Sequence, residues 1–181
     1  ERLEETLFNG NTGVVVRFNN TNFPIYGYTT HPDRGTDTIS DWSLPANSEA
    51  IITETNTAIG LMFSNQGGVG NDSLILYVAN DIWINLQNDF KANSDKSILM
   101  RLREIAQIID VKPAEKLASK TAVLVEMEAR TVQLAIASDV IMVPHVKTNP
   151  MQPQYMTTYA AMVNQIKSDV NSNTGIMHLT M

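Results

Sequence analysis

The chain has 181 residues, a net charge of −6, 43% hydrophobic residues, 18% charged residues and no cysteine. This length is enough for one domain or for two small lobes. The acidic balance argues against a basic surface that grips nucleic acid, and the lack of cysteine excludes disulfides, thiolate metal sites and a thiol nucleophile. Because no apolar run approaches the roughly 20 residues that span a bilayer, we expect no membrane partner.

Two further features of the composition bear on partners. The charged fraction is low for the surface of a free monomer. This fits an exterior that contacts other protein, and equally an exterior made polar by Asn, Thr, Ser and Gln. The first residue is Glu1 rather than Met, so we expect a processed product, a fragment or a trimmed chain.

The first part of the chain predicts a helix end, a strand and a long loop. Residues 1–7 are mostly helix formers with charged pairs at helical spacing. The β-branched run within 14–18 favours a strand. From 19 to 41, prolines and glycines alternate with aromatic anchors, which predicts a loop packed over the edge of a core.

The most polar point of this loop contains His31, Asp33 and Arg34. A histidine near an aspartate could act as an acid–base pair, but these two are near neighbours in a turn and the sequence offers no third partner. We therefore expect a structural or subunit-contact role. A small hydrolase or a carbohydrate-binding domain is the alternative that these residues would serve.

The middle of the chain predicts helices and strands in succession. A helix begins at Asn47 or Ser48, each a suitable N-cap, and carries an apolar stripe to residue 65. The glycines within 67–70 follow this helix and lack a lysine, so they predict a helix end rather than a phosphate-binding loop. The next expected elements are a strand at 73–78, a helix from 79–81 to 90, a helix from Ser94 or Asp95 to Ile105, a strand at 108–111 and a loop at 112–119.

The last third predicts two β-hairpins. Residues 122–143 contain two apolar runs around a polar turn at 128–130, which is typical of a hairpin. The stretches 157–170 and 175–181 are extended, and we expect the residues between them to form a second hairpin loop.

These elements predict two lobes. The stretch 144–154 holds three of the seven prolines and separates the last ribbon from the middle of the chain. We expect a central lobe at 41–150 and a second lobe built from 1–40 and 151–181.

The sequence contains no recognisable catalytic or cofactor site. His31, His145 and His178 are spread over the chain, and none has a second ligand at metal spacing. Gly-x-Ser-x-Gly is absent, and Glu126 and Glu128 are expected on one side of the predicted hairpin. We therefore expect no enzyme activity, no metal and no cofactor.

The order of several segments resembles one known family. IYGYTTHP (25–32) contains a Gly-Tyr-x-x-x-Pro loop, SLILYV (73–78) leads into a helix, VQLAIASD (132–139) ends the predicted hairpin, and an apolar strand closes the chain. This succession resembles the major capsid proteins of tailed phages with the Hong Kong 97-type fold, and their relatives the encapsulins. The likeness is one of order and pattern and covers nearly all 181 residues.

The resemblance implies an α+β, Hong Kong 97-like capsid fold. A central axial domain of sheet and helices would occupy 41–150, and a peripheral lobe of β-ribbon would be built from both chain ends. Family members begin with an N-terminal arm, an extended E-loop and a long spine helix. Residues 1–7 would be only the last turns of that spine, so complete shell formation by this chain alone is in question.

The resemblance also implies a structural role, as a major capsid subunit of a tailed phage that assembles into an icosahedral shell around the genome. An encapsulin-type compartment is the alternative. The implied partners are further copies in pentamers and hexamers, other capsid or decoration proteins, and DNA that is enclosed without sequence-specific binding. The implied location is the virion, after assembly in the host cytoplasm.

By position, the resemblance places the axis-proximal loop at 110–119 and the peripheral lobe at 155–181 together with 1–18. The candidate subunit contacts are His31, Asp33, Arg34, Asp110, Lys112, Glu115, Lys116, Tyr155 and Tyr159.

Overall fold

The structure is a computed structural model, and it describes residues 2–18, 20–66, 73–91, 95–144, 156–169 and 171–181. The helices are α1 (Arg2–Asn9), α2 (Ser48–Gln66), α3 (Asn80–Leu86) and α4 (Ile98–Arg103). The strands are β1 (Asn11–Phe18), β2 (Thr21–Ile25), β3 (Gly35–Thr38), β4 (Leu74–Val78), β5 (Ile108–Pro113), β6 (Thr121–Glu126), β7 (Val132–Pro144), β8 (Met156–Ile166) and β9 (Ile176–Thr180).

A five-stranded mixed sheet forms the centre of the fold, in the order β3–β9–β6–β4–β5. β6 runs antiparallel to both of its neighbours, whereas β3 pairs in parallel with β9, and β5 in parallel with β4. Every residue from Ala122 to Glu126 is buried, because β6 lies in the middle of the sheet with both faces covered. Two further pairs, β1–β2 and β7–β8, form separate two-stranded sheets.

Different parts of the chain cover the two faces of the five-stranded sheet. On one face, the ring of Tyr77 lies 5.2 Å from the ring of Phe8 in α1, measured between centroids. His178 shares the cross-strand row of Tyr77, so the adjacent Met177 points to the other face. On that face, Met177 and Met62 of α2 line one cavity.

The buried stripe of α2 confirms the predicted periodicity. Ile51, Thr55, Ile59 and Met62 are buried, at the spacing of one helix face. The hydroxyl of Thr55 donates to the Ile51 carbonyl at 2.7 Å, which satisfies the buried polar group inside the helix.

The helix after α3 begins later than predicted. α4 begins at Ile98 with Ser97 as its N-cap, rather than at Ser94 or Asp95. The Ile98 N–H donates to the Asn88 carbonyl at 3.1 Å, so the backbone before the helix is bonded to the preceding turn. Propensity alone does not register such a contact.

The predicted hairpin at 122–143 is wrong. β6 pairs with β4 and β9, and β7 pairs with β8. The polar turn does exist, because the Thr131 N–H donates to the Glu128 carbonyl at 2.9 Å. It directs the chain out of the five-stranded sheet, since both edges of β6 already have partners.

The second predicted hairpin, between 157–170 and 175–181, is wrong for the same reason. β8 runs antiparallel along β7, with Met156 opposite Pro144 at one end and Ile166 opposite Val132 at the other. β9 instead enters the five-stranded sheet. The predicted loop at 19–41 also contains two strands, β2 and β3, which find partners in β1 and β9. The predicted turn at 67–70 lies outside the described residues.

We predict that Phe8→Ala lowers the free energy of unfolding by about 3–5 kcal/mol, because a buried aromatic side chain is lost between α1 and the sheet. Urea unfolding followed by circular dichroism measures this change. Ile84→Ala is the control: Ile84 is 71% exposed, so its loss should change stability by no more than about 0.5 kcal/mol. Equal effects would contradict the packing of α1 on the sheet.

Candidate functional site

The chain leaves the five-stranded sheet after β6 and returns to it at β9, and both crossings meet at a buried carboxylate. We call Glu126, Arg130, Thr131 and Gly175 the crossover node. The Glu126 side chain is 1% exposed, and its Oε1 accepts from Arg130 Nη2 at 2.5 Å. Its Oε2 accepts from Thr131 Oγ1 at 2.7 Å. The Glu126 N–H donates to the Gly175 carbonyl at 2.8 Å.

A buried carboxylate is tolerated only where it is paired and hydrogen-bonded. Glu126 meets both conditions through Arg130 and Thr131, which follow it by four and five residues along the chain. The hydrogen bond that Arg130 donates to Glu126 raises the pKa of Arg130, and the charges of Glu126 and Glu128 add to this effect. The pair therefore fixes the turn that starts β7 against the end of β6.

Gly175 is required by the close approach of its neighbours at this node. A Cβ atom at this position would lie 2.5 Å from Thr131 Cγ2 and 2.8 Å from Glu126 Oε2. Both distances are shorter than any normal contact. The residue before β9 therefore has to be glycine for the carboxylate to stay where it is.

The base of the β7–β8 ribbon is bonded to the same turn. The Lys167 N–H donates to the Thr131 carbonyl at 2.9 Å, and Lys167 Nζ donates to the Ala129 carbonyl at 2.8 Å. The Asp169 carboxylate accepts from the N–H groups of Asn171 and Asn173 at 2.8 and 2.9 Å. The incoming and outgoing chains thus share one hydrogen-bonded junction, which borders a cleft of about 270 Å³.

The structure brings His31, Asp33 and Arg34 together against the last segment of the chain. Arg34 Nη1 donates to the His31 carbonyl at 2.8 Å, and Arg34 Nε donates to Nδ1 of His178 at 3.5 Å. The Asp33 carboxylate accepts from Ser168 Oγ at 2.7 Å. These contacts hold the loop onto β9 and the end of the ribbon.

The same contacts do not form an acid–base pair. Nδ1 of His31 accepts from the Asp33 N–H at 3.2 Å, while the Asp33 carboxylate is bonded to Ser168. Burial lowers the pKa of His31, and the charge of Arg34 also lowers it, while Asp33 opposes this shift. Burial and Arg34 likewise lower the pKa of His178.

The second group of predicted contact residues lies on β5 and the loop after it. Asp110 Oδ1 bonds Arg103 Nη2 at 2.9 Å and accepts from the Val111 N–H at 2.8 Å. Lys112 and Glu115 are exposed, and Lys116 is half-buried. The Lys116 carbonyl accepts from Asn9 Nδ2 at 3.1 Å, which ties this loop to α1.

The predicted contacts in the ribbon are only partly described. Tyr155 and His145 lie outside the described residues. Tyr159 lies on β8, where it pairs with Ile141 of β7.

Sequence reasoning missed the burial of Glu126, which it had placed on one side of a hairpin. One signal was present: an acidic residue ends an apolar run, and an arginine follows four residues later. That spacing is typical of an ion pair on one helix face, and here a turn achieves the same pairing.

Within the described ranges, no group of three or more histidine, aspartate or glutamate side chains is arranged to hold a metal ion. The described helices include none that is both long enough and apolar enough to span a membrane.

We predict that Gly175→Ala destabilises the protein by about 1–3 kcal/mol, because the added methyl group overpacks the crossover node. Gly60→Ala is the matched control. A Cβ at Gly60 meets nothing within 4 Å, and alanine favours the helix, so this variant should gain about 0.5–1 kcal/mol. Thermal or urea unfolding compares the two, and a neutral Gly175→Ala variant would contradict the crowding at the node.

We predict that stability falls as the pH drops below about 6.5, the ordinary pKa of histidine. Folding lowers the pKa values of His31 and His178, so the unfolded chain binds more protons in this window and acid favours unfolding. The measurement is the urea midpoint at about pH 7.5 and about pH 5.5. In a His31→Gln/His178→Gln variant the difference should shrink; an unchanged difference would assign it to other groups.

Three solved structures share the fold of this chain. A chain of the capsid of Myoviridae phage XM1 is 13% identical, with a TM-score of 0.72 over 99% of this chain and 60% of that one. The virus-like particle from Pyrococcus furiosus is 14% identical, with a TM-score of 0.63 over 84% of this chain and 58% of that one. The mature capsid of bacteriophage PhiM1 is 11% identical, with a TM-score of 0.52 over 81% of this chain and 51% of that one.

These likenesses confirm the α+β, Hong Kong 97-like capsid fold that the resemblance implied. The chain spans 51% to 60% of the length of these neighbours. A comparison with curated proteins finds no match. The sequence model of a family of unknown function, DUF6260, matches residues 1–179. The chain therefore belongs to that family.

Proposed function

We propose that this protein is a shell subunit, the major capsid protein of a tailed phage that assembles with copies of itself into an icosahedral shell around the genome. The observation that carries this proposal is the fold shared with the capsid of phage XM1 over 99% of the chain. Agreement over nearly the whole chain takes in both the five-stranded sheet and the long β7–β8 ribbon. It is therefore more specific evidence for the fold than a match to the sheet alone would be.

The charge of the chain supports enclosure of DNA without a gripping surface. A net charge of −6 repels a packaged polyanion and leaves it mobile inside the wall. Each contact between copies in such a wall would bury on the order of 1,000 Å² or more, which fits the low charged fraction of the chain.

We assign the parts of the chain to the shell as follows. Residues 41–150 form the axial part, which contacts other copies in pentamers and hexamers. Residues 1–40 and 151–181 contribute the peripheral part, although β3 and β9 within these ranges lie in the five-stranded sheet. The proposed partners include other capsid or decoration proteins, and the proposed location is the virion, after assembly in the host cytoplasm.

The contact residues fall into two classes under this proposal. Lys112 and Glu115 are exposed and can reach a neighbouring copy around the axis, although Glu115 Oε1 also lies 3.7 Å from Lys116 Nζ. Asp33 and Arg34 bond within their own chain, so the structural alternative accounts for them better than a subunit contact.

An encapsulin-type compartment is the second candidate, and the likeness to the virus-like particle from Pyrococcus furiosus favours it. It differs from the first in what is enclosed, protein cargo rather than nucleic acid. The third candidate, a small hydrolase or carbohydrate-binding domain, would need His31 and Asp33 to act as a pair, whereas the Asp33 carboxylate bonds Ser168. The three solved neighbours are shell proteins, which fits a role without catalysis.

The test is electron microscopy and nuclease treatment of particles isolated from the native source. We expect symmetric shells with many copies of this chain and nuclease-protected DNA inside. Protein cargo without DNA would support the compartment instead. A chain that stays monomeric at all concentrations and salt conditions in its native context would overturn both.

We further predict that Lys112→Glu together with Glu115→Lys lowers the yield of assembled particles at least tenfold, since reversed charges at these two exposed contact positions oppose the neighbouring copy. Sedimentation velocity measures the assembled fraction. Lys112→Arg with Glu115→Asp is the matched control that keeps both charges. Equal yields from both variants would remove this loop from the contacts between copies.

A further inference from the structure

Among the strands that the structure describes, the five-stranded sheet ends in two edge strands, β3 and β5. An open edge presents unpaired N–H and C=O groups, and it invites pairing with another chain. Two copies of this chain could then join edge to edge and continue the sheet. In a protein present at high local concentration, that pairing would compete with any ordered contact.

Each edge strand uses an aspartate to occupy an outward N–H group of its own backbone. On β3, the Thr38 N–H donates to Asp37 Oδ1 at 2.9 Å. On β5, the Val111 N–H donates to Asp110 Oδ1 at 2.8 Å. In both strands the aspartate directly precedes the residue whose N–H it accepts.

The direction of these N–H groups follows from the strand pairing. The Ile39 N–H donates to Thr180 of β9 at 2.8 Å, and N–H groups alternate in direction along a parallel strand. The Thr38 N–H therefore points away from β9. By the same reasoning, the Ala114 N–H donates to Val78 of β4 at 2.9 Å, so the N–H of Val111 points to the open edge.

The open edge of β5 is closed at a second position by Pro113. Pro113 alternates with Ala114 and so occupies an outward position, where it has no N–H to offer. A strand that approached β5 would find two successive outward positions, at Val111 and Pro113, without a free donor. β3 is protected in addition by its length of four residues, since short edge strands offer little to pair with.

We propose that Asp37 and Asp110 are edge-closing residues that keep copies of this chain from joining through the five-stranded sheet. Contacts between copies then have to be made by side chains and not by backbone pairing along these two edges. The proposal does not depend on shell formation, because a monomer would be protected in the same way. It assigns a role to Asp110 in addition to its ion pair with Arg103.

The test compares variants that remove the acceptor with variants that keep it. Asp37→Ala and Asp110→Ala remove the oxygen that accepts the N–H. Asp37→Asn and Asp110→Asn retain a carbonyl oxygen as acceptor, remove the charge and replace the other oxygen by an NH2 group. Circular dichroism checks that each variant is folded. If loss of the ion pair with Arg103 unfolds the Asp110→Ala variant, the two Asp37 variants still provide the comparison.

Two readouts decide the outcome. Amide hydrogen exchange at Thr38 should accelerate about fivefold or more in Asp37→Ala, the loss expected for one hydrogen bond of about 1 kcal/mol. It should stay near the wild-type rate in Asp37→Asn. Infrared spectra should show a new intermolecular β-sheet band that grows with concentration in the alanine variants.

Unchanged exchange at Thr38 and no intermolecular band in the alanine variants would overturn the proposal. An equally strong band in the asparagine variants would also overturn it, because charge rather than the hydrogen bond would then protect the edge. Neither readout uses particle formation, so failure here is distinct from failure of the proposed shell function.

Discussion

The structure depends on the pairing of β6 between β4 and β9. This strand is buried along its length from Ala122 to Glu126, and its two neighbours come from distant parts of the chain. Because β9 in turn pairs with β3, one sheet ties the early loop region to the last residues. Placing a central strand between partners of high sequence separation is costly in chain entropy. The compensation comes from burying both of its faces.

That arrangement leaves one difficulty, which is how the chain leaves a fully paired strand and comes back. The crossover node solves it with a buried carboxylate, which pairs with the half-exposed Arg130, and with a glycine. Replacing a buried ion pair by apolar groups often costs a protein little stability, and here the arginine is half-exposed. We therefore infer that Glu126 serves mainly to set the direction of the chain. The carboxylate binds the turn before β7 and lies against the residue before β9. It thereby fixes where the ribbon emerges from the sheet.

A shell subunit needs surfaces that bind other copies of the chain in one geometry, and other surfaces that do not bind them. The five-stranded sheet belongs to the second kind, since its edges carry their own hydrogen-bond acceptors and a proline. Under the proposed function, Lys112 at the end of β5 and Glu115 in the loop after it, both exposed, belong to the first kind. The loop with Asp33 and Arg34 has a third role, because it fastens the early part of the chain to the end of the ribbon.

The sequence by itself determined the local elements and, through the order of its segments, the fold family. The stripe of α2, the buried run of β4 and the turn at 128–130 follow from periodicity and polarity, which are properties of neighbouring residues. Only the tertiary structure decided which strands pair, so both predicted hairpins were wrong. Alternation indicates which face of a strand is buried, but it does not identify the strand beside it. For the same reason the sequence did not indicate the burial of Glu126, because that burial depends on contact with Gly175, which lies far along the chain.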